Sequence, residues 1–209
     1  MRTNYYAEEY GNIIMPVVDV DVLRRRKDVV IPKGLTVMGN WFSCWTGRSI
    51  EIPEGCKKID TNAFWCCPEL ESVDLPDGLE FIGDRAFGGC RSLVDIAIPA
   101  SVRKIGDGAF SGCSSLTSIV IPKGVTEIKG STFWGCSALE SVEIPDSVTE
   151  IEWFAFKKCI SLKSLVIPDS VTKIWPRAFE DCTNLTIHVP KGSKAEEYAR
   201  ENGIPFEEL

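Results

Sequence analysis

Apolar residues recur along this chain with a constant period of 23 residues. Every period contains a phenylalanine or a near equivalent, followed three residues later by a cysteine and six residues later by a leucine. Six consecutive periods place their phenylalanines at Phe64, Phe87, Phe110, Phe133, Phe156 and Phe179. A fixed period of about 20–50 residues predicts a solenoid, because a single repeat cannot bury its apolar side and must stack on its neighbours.

One central repeat shows how a coil should fold. Ile119 and Ile121 alternate with outward-facing positions, which predicts a short strand that ends at Pro122. Val125 and Ile128 predict a second, shorter extended segment whose apolar side faces the same core. The Gly- and Ser-containing stretch that follows is too short for an α-helix, so we expect a turn or a single 3-10 turn there. Coils stacked about 4.8 Å apart then place Phe on Phe, Cys on Cys and Leu on Leu.

The two ends of the array carry patterns that are typical of caps, which an open stack requires. Ser193 with Glu196 three residues later forms a capping-box pattern and predicts a short C-terminal helix. At the other end, residues 18–22 alternate like a half-buried strand that could pair with the first coil. We therefore divide the chain into an N-terminal flank and capping strand at residues 1–28, the solenoid at 29–190 and a C-terminal helical cap at 191–209.

The repeat Leu-x-x-Ile-x-Ile-Pro-x-Ser/Gly-Val-x-x-Ile-x-x-x-Ala-Phe-x-x-Cys resembles the BspA-like leucine-rich repeats of bacterial and some protozoan surface proteins, over about residues 29 to 190. The resemblance implies a leucine-rich repeat solenoid of the α/β superhelix class, mostly β. This would be a right-handed curved stack with a concave parallel sheet, short convex strands and 3-10 turns. The chain departs from the pattern where Trp41 occupies the Phe column of the first copy, and where Lys129, Glu152 and Trp175 replace the usual Gly.

Seven of the nine cysteines follow the period, at Cys44, Cys67, Cys90, Cys113, Cys136, Cys159 and Cys182. A cysteine that recurs beside core Phe and Leu positions is most simply a buried free thiol, since free Cys is among the most buried residue types. Cys56 falls in a Val column and is also expected in the core, whereas Cys66 falls outside every apolar column. Without a Cys-x-x-Cys pair, and with His188 as the single histidine, we expect no metal site and no cofactor.

Charge and composition remove further classes of function. The net charge is −7, from 23 basic and 30 acidic residues, which argues against a nucleic-acid partner. No run of apolar residues is long enough for membrane insertion, and the first residues lack the apolar core of a signal peptide, so we expect a soluble chain without an export signal. The nucleophile-elbow and phosphate-loop patterns are absent, so we expect no enzymatic activity.

Two surfaces are candidates for binding. The first is the predicted concave face, whose outward positions include Glu51, Asp74, Asp95, Val120, Glu143, Val166 and His188. The second is an aromatic patch that the repeat does not demand, because equivalent positions in other copies hold small or polar residues; it comprises Trp153, Phe154, Trp175, Trp134 and Trp65. Exposed aromatic side chains often mark contact sites. The same rings could instead fold over the convex side and fill gaps there.

These features favour a non-enzymatic scaffold that recognises a protein partner and that could also self-associate weakly. The family resemblance implies a bacterial surface or host-interaction role of the adhesion type, and hence a secreted or cell-surface location. A carbohydrate-binding module that stacks sugars on exposed Trp rings is the alternative. A polysaccharide-active β-helix enzyme is a third possibility, but its adjacent coils would need matching Asp, Arg or Lys positions, and the outward strand positions do not provide them.

Overall fold

The computed structural model describes residues 29–31 and 33–209, which form a parallel β-solenoid of about seven coils. Most coils contribute one strand of three or four residues and one of two residues. The longer strands are β2 (Ser49–Glu51), β4 (Ser72–Asp74), β7 (Ser118–Val120), β9 (Ser141–Glu143), β11 (Ser164–Val166) and β13 (Thr186–Val189). The two-residue strands are β1 (Val37–Met38), β3 (Lys58–Ile59), β5 (Phe81–Ile82), β6 (Lys104–Ile105), β8 (Glu127–Ile128), β10 (Glu150–Ile151) and β12 (Lys173–Ile174). The predicted solenoid is confirmed.

Equivalent strands of consecutive coils, where they pair, do so in parallel and in register. Ser118 lies opposite Ser141, and Val120 lies opposite Glu143. The central residue of these strands is buried and its two neighbours are exposed, as the alternation in the sequence predicts. The ladder of longer strands is interrupted at residues 93–99, where the described chain forms no strand, and again between β9 and β11, which belong to separate sheets. The outward residues of the longer strands form the surface predicted to be concave, which we call the long-strand face.

A continuous stack of phenylalanine rings runs through the core. Neighbouring rings lie 5.3–5.8 Å apart between centroids, and their planes are close to parallel over most of the stack. Such aromatic pairs add about 0.5–1.5 kcal/mol each beyond the area they bury. The stack comprises Phe42, Phe64, Phe87, Phe110, Phe133, Phe156 and Phe179, all of which are buried.

A second column explains why the repeat uses cysteine rather than another small apolar residue. The Sγ of Cys113 donates a hydrogen bond to the carbonyl oxygen of Phe87 in the preceding coil, at 3.1 Å. Every column cysteine from Cys67 to Cys182 makes the same bond, at 3.0–3.2 Å, to the Phe carbonyl of the preceding coil, which lies 25 residues earlier for Cys67 and 26 residues earlier for the others. The column is therefore a ladder of thiol donors that joins successive coils. Most of these thiols are buried, as predicted, and Cys182 in the last coil is half-buried.

The first coil differs from the prediction in two positions. Phe42, not Trp41, occupies the phenylalanine column, where its ring stacks on Phe64. Trp45, not Cys44, fills the following core position; it is fully buried and packs edge-on against Phe42 at 5.5 Å. The reason is that Phe42 lies 22 residues before Phe64, so this coil is one residue shorter than the others. Cys44 is consequently exposed.

The C-terminal cap is a helix followed by a strand. Helix α1 (Lys194–Asn202) is capped at its N-terminus by Ser193, whose side chain accepts a hydrogen bond from the Glu196 backbone N–H at 3.2 Å. Its Tyr198 ring packs against Phe179 at 6.1 Å between centroids and covers the end of the stack. Strand β14 (Phe206–Glu208) then pairs in parallel with β13, an element that the sequence did not predict. The proposed N-terminal strand at residues 18–22 lies outside the described residues.

Candidate functional site

The turns between the two strand types carry the candidate site. One position in these turns has a left-handed backbone in every coil from Asn62 onwards, with φ between 51° and 64°. This column, which we call the turn column, comprises Asn62, Arg85, Gly108, Ser131, Phe154 and Arg177. Its members differ greatly in size, so the turns form an uneven surface along the solenoid although the core beneath them is regular.

A groove of about 650 Å³ crosses this surface. Four of its lining residues are glycine or serine, and they belong to two consecutive coils: Gly108, Ser111, Gly130 and Ser131. For each of the four, at least one adjacent coil has a larger residue at the equivalent position, so the space arises because these side chains are small. Ser111, for example, stands where the next coil has Trp134.

Three aromatic side chains from the predicted patch line this groove: Trp134, Trp153 and Phe154. Trp134 and Trp153 are exposed at 44% and 47% of their surface. The Phe154 ring is half-buried and contacts two cations, with the Lys157 Nζ 5.1 Å and the Arg177 guanidinium carbon 5.0 Å from its centroid. These three rings therefore share one site.

The other two residues of the predicted patch lie elsewhere. Trp175 is half-buried, and its ring packs on Trp153 at 4.1 Å between centroids. Its Nε1 donates to the Glu150 carboxylate at 3.1 Å, and the Lys173 Nζ lies 3.7 Å from its centroid. Trp175 thus supports Trp153 rather than lining the groove. Trp65 is exposed but lies three coils before Trp134 in the same column, outside the groove.

Charged residues hold the groove wall in place. The Lys129 Nζ pairs with Glu127 and with the Glu152 Oε1, the latter at 2.9 Å. The other oxygen of Glu152 accepts a hydrogen bond from the Gly130 backbone N–H at 3.0 Å. The two carboxylates raise the pKa of Lys129, which keeps it charged. The residues that break the repeat pattern at 129 and 152 therefore fix the backbone beside the groove.

The groove also contains three charged groups that the sequence did not single out: Arg85, Arg177 and Asp107. Arg177 donates to Glu180 at 2.5 Å, whereas Arg85 forms no ion pair with another described residue. Burial, with smaller contributions from Glu152 and Asp84, raises the pKa of the Asp107 carboxyl. The lining thus combines aromatic rings with a positive excess, although the chain as a whole is acidic.

The long-strand face presents its predicted residues in rows along paired strands. Glu51 lies opposite Asp74, and Val166 lies opposite His188. Val120 and Val166 are exposed at 56% and 50%, and the His188 Nδ1 lies 3.4 Å from a Glu207 carboxylate oxygen. Asp95 is also exposed, but within the segment that forms no strand, and Glu143 is exposed in β9. This face offers isolated valines, several exposed carboxylates and small polar groups.

Within residues 29–31 and 33–209, no three His, Cys, Asp or Glu side chains are grouped closely enough to hold a metal ion. In the same part of the chain, the structure contains no helix with the length and apolar character needed to cross a bilayer.

Solved structures with this fold come from several bacteria. A leucine-rich cell surface protein from Faecalibacterium prausnitzii is 36% identical, with a TM-score of 0.63, and the match covers 69% of this chain and 39% of that one. The T. pallidum leucine-rich repeat protein is 29% identical, with a TM-score of 0.66, over 82% of this chain and 77% of that one. A leucine-rich repeat protein from Eubacterium ventriosum is 27% identical, with a TM-score of 0.54, over 70% of this chain and 46% of that one. This chain therefore spans well under half of the Faecalibacterium protein.

No curated protein matches the chain. The family model for the BspA type leucine-rich repeat region, which contains six copies, matches residues 25–87 and 57–186. These residues include the whole phenylalanine stack and the groove. The chain therefore belongs to the BspA-type leucine-rich repeat family.

Proposed function

We propose that this protein is a non-catalytic recognition scaffold and that a protein partner docks on the groove lined by Trp134, Trp153 and Phe154. The observation that carries the proposal is that two exposed Trp rings and a Phe ring converge on one groove. Tryptophan and arginine are enriched among the residues that dominate binding energy at protein interfaces, and this groove contains both. Solenoids commonly use extended surfaces of this kind for binding.

The energetics favour the groove over the long-strand face. Full burial of an aromatic ring removes about 150–250 Å², and Trp134 and Trp153 each still expose almost half of theirs. At about 25 cal/mol/Å², covering the rest contributes about 2–3 kcal/mol per ring. A serine on the long-strand face instead exchanges hydrogen bonds with water for hydrogen bonds with the partner, for a net gain of about 1 kcal/mol. The groove is therefore the stronger anchor.

The charged residues that line the groove limit which partner segments can bind in it. Arg85 lines the groove without an ion pair among the described residues, and Arg177 lies at the Phe154 ring. A partner carboxylate would pair with Arg85, since arginine binds carboxylates through two parallel hydrogen bonds. We therefore propose a partner segment with an apolar side chain next to an acidic one. By analogy with the family, we further propose that the protein acts at a bacterial surface in adhesion.

The test measures binding of the full chain to immobilised extracellular-matrix proteins by biolayer interferometry. The double variant Trp134→Ser/Trp153→Ser should lose at least tenfold in affinity. Trp65→Ser is the matched control, because it removes the same residue from the same column outside the groove, and it should bind like the parent. Ser111→Trp should also block binding, since Trp already occupies this column at positions 65 and 134 and the fold tolerates it.

Three outcomes would contradict the proposal. If the groove variants bind normally while Val120→Ser/Val166→Ser does not, the partner docks on the long-strand face. If the chain binds none of the matrix proteins but binds immobilised glycans, and the Trp134→Ser/Trp153→Ser variant loses that binding, the groove is a carbohydrate site. If Trp65→Ser and the double variant lose binding equally, the parent binds nonspecifically through exposed Trp side chains rather than through a defined site.

A further inference from the structure

Two cysteines lie outside the buried thiol ladder, next to each other in the first two coils. Cys44 is exposed and Cys66 is half-buried. Both have a left-handed backbone, with φ of 61° and 56°, at a position that the next three coils fill with Gly89, Gly112 and Gly135. Glycine is the residue that adopts this backbone without strain. The fold therefore does not require a cysteine at either position.

A backbone hydrogen bond shows that the two residues are stacked neighbours. The Cys44 N–H donates to the Trp65 carbonyl at 2.8 Å, and the Cys66 N–H donates to the Gly88 carbonyl at 2.7 Å in the same way one coil later. Cys44 therefore stacks on Cys66 in the same way that Cys66 stacks on Gly89 in the next coil. A Cβ placed on Gly89 would be 3.4 Å from the Cα and 3.3 Å from the Sγ of Cys66, so side chains in this column touch. A spacing of about 4.8 Å between stacked backbones falls within the Cα separation of about 4.4–6.8 Å that a disulfide needs.

The pair also differs from the ladder in its freedom to reorient. Each ladder thiol is held by a bond to a Phe carbonyl, which aims neighbouring sulfurs the same way. No hydrogen bond holds the Cys44 or Cys66 thiol to another described residue. In addition, the Phe42 and Phe64 rings are inclined by 26°, whereas Phe64 and Phe87 are inclined by 1°. The first coil is therefore not a parallel copy of the second, and the two sulfurs are not forced into equivalent directions.

We propose that Cys44 and Cys66 are an oxidation site, at which a peroxide oxidises the two thiols to a disulfide. The exposed Cys44 thiolate attacks a peroxide oxygen, the O–O bond breaks, and Cys44 becomes a sulfenic acid while hydroxide leaves and is protonated to water. The Cys66 thiolate then attacks the Cys44 sulfur; the S–S bond forms, the S–OH bond breaks, and the hydroxide that leaves is protonated to water. Two thiols are oxidised and one hydrogen peroxide is reduced to two waters. Cys44 should react first because it is exposed, whereas Cys66 is half-buried and burial raises the pKa of its thiol.

The bridge would fasten the first coil to the second. Cys44 and Cys66 are 22 residues apart, and closing this loop restricts the unfolded chain. The first coil ends the described stack and has a neighbouring described coil on one side only. A disulfide there would resist fraying at that end without touching the groove, so its presence does not depend on the proposed function.

The test treats the full chain with hydrogen peroxide, blocks remaining thiols under denaturing conditions and maps tryptic peptides by mass spectrometry without reduction. Cleavage after Arg48 and Lys58 separates Cys44 from Cys66, so a bridge appears as two linked peptides with two hydrogens lost. Cys44→Ser and Cys66→Ser should each abolish this species. Cys182→Ser, which changes a half-buried ladder cysteine, should retain it.

A second measurement is the thermal unfolding midpoint, which oxidation should raise in the parent and in Cys182→Ser but not in Cys44→Ser. The proposal is overturned if Cys44 is recovered as sulfinic acid with Cys66 still a thiol. It is also overturned if the linked peptides persist in Cys66→Ser, which would place the bridge at the adjacent Cys67. Covalent dimers as the main oxidised product would be equally contrary to it.

Discussion

Replacing one phenylalanine in the middle of the stack should weaken the whole solenoid. Phe110 is fully buried, and its ring stacks on Phe87 at 5.6 Å and on Phe133 at 5.8 Å. Its burial alone, at about 150 Å² or more and about 25 cal/mol/Å², corresponds to roughly 4 kcal/mol. The Phe110→Ala change also removes two ring contacts, and partial collapse of the cavity offsets part of the loss. We expect the free energy of unfolding to fall by about 4–5 kcal/mol, the upper part of the usual range for such changes.

Equilibrium unfolding in urea, followed by circular dichroism at 25 °C, measures this effect. Ser118→Ala provides the control, because Ser118 is exposed on the long-strand face, and it should change the free energy of unfolding by no more than about 0.5 kcal/mol. Phe179→Ala, at the end of the stack, should lie between them, since Phe179 contacts one phenylalanine and, edge-on, Tyr198. Equal effects of Phe110→Ala and Ser118→Ala would refute the assignment of inward and outward columns.

A defect in the middle of a linear array also tests how the coils are coupled. Each coil contacts its neighbours, so stability is approximately a sum of coil and interface terms. If the Phe110→Ala variant unfolds in two transitions, the coils on either side of the defect behave as separate units. A single transition with an unchanged urea dependence would instead show that the array still unfolds as one unit.

Two further predictions concern titratable groups. Thiol titration of the native protein should detect rapid reaction at the exposed Cys44 and at most also at the half-buried Cys66 and Cys182, with all nine cysteines reacting after denaturation. The buried ladder thiols should stay unreactive because burial raises the pKa of Cys113 well above its usual value and that of Cys136 to about 12. Rapid native reaction of more than three thiols would contradict the buried ladder. Glu196 accepts hydrogen bonds from Arg200 and from the Gly192 N–H, which lower its pKa, so its stabilising effect is present above its unfolded pKa and is lost as the pH falls through the folded pKa. Glu196→Gln should therefore lose less stability than the parent between neutral and acid pH in thermal melts, and identical pH profiles would show that this carboxylate does not contribute.

The regular part of the fold could be predicted from the sequence because stacking repeats the same constraint in every coil. The Phe, Cys and Leu columns, the inward position of Ile119 and the capping residue Ser193 all follow from spacing and residue type. The first coil could not be placed correctly, because Trp41 and Phe42 are adjacent large rings. Periodicity alone favoured the wrong one once this coil was one residue short. Strand β14 was missed because Phe206 is the single apolar residue in its three positions.

The aromatic residues of the candidate groove could be predicted from the sequence, but the space between them could not. Trp134, Trp153 and Phe154 stood out because they are large where other repeats are small. The space between them depends on the opposite property, since Gly108 and Ser131 are small where other repeats have large residues. Because small residues are common in turns, their presence in the sequence does not indicate a groove. Trp175 was indistinguishable from its neighbours because the hydrogen bond to Glu150, which turns it into a support, joins residues 25 positions apart.

The bonds between coils have a consequence for how such a protein can change over generations. Each thiol donor and each ring finds its partner one period away, and every neighbouring coil offers the same partner. Duplication or loss of the 69 nucleotides that encode one 23-residue repeat would therefore leave the core fully matched. The groove has no such tolerance, since the coil with Ser111 must directly precede the coil with Trp134. The number of coils is free to drift, whereas the order of these two is not.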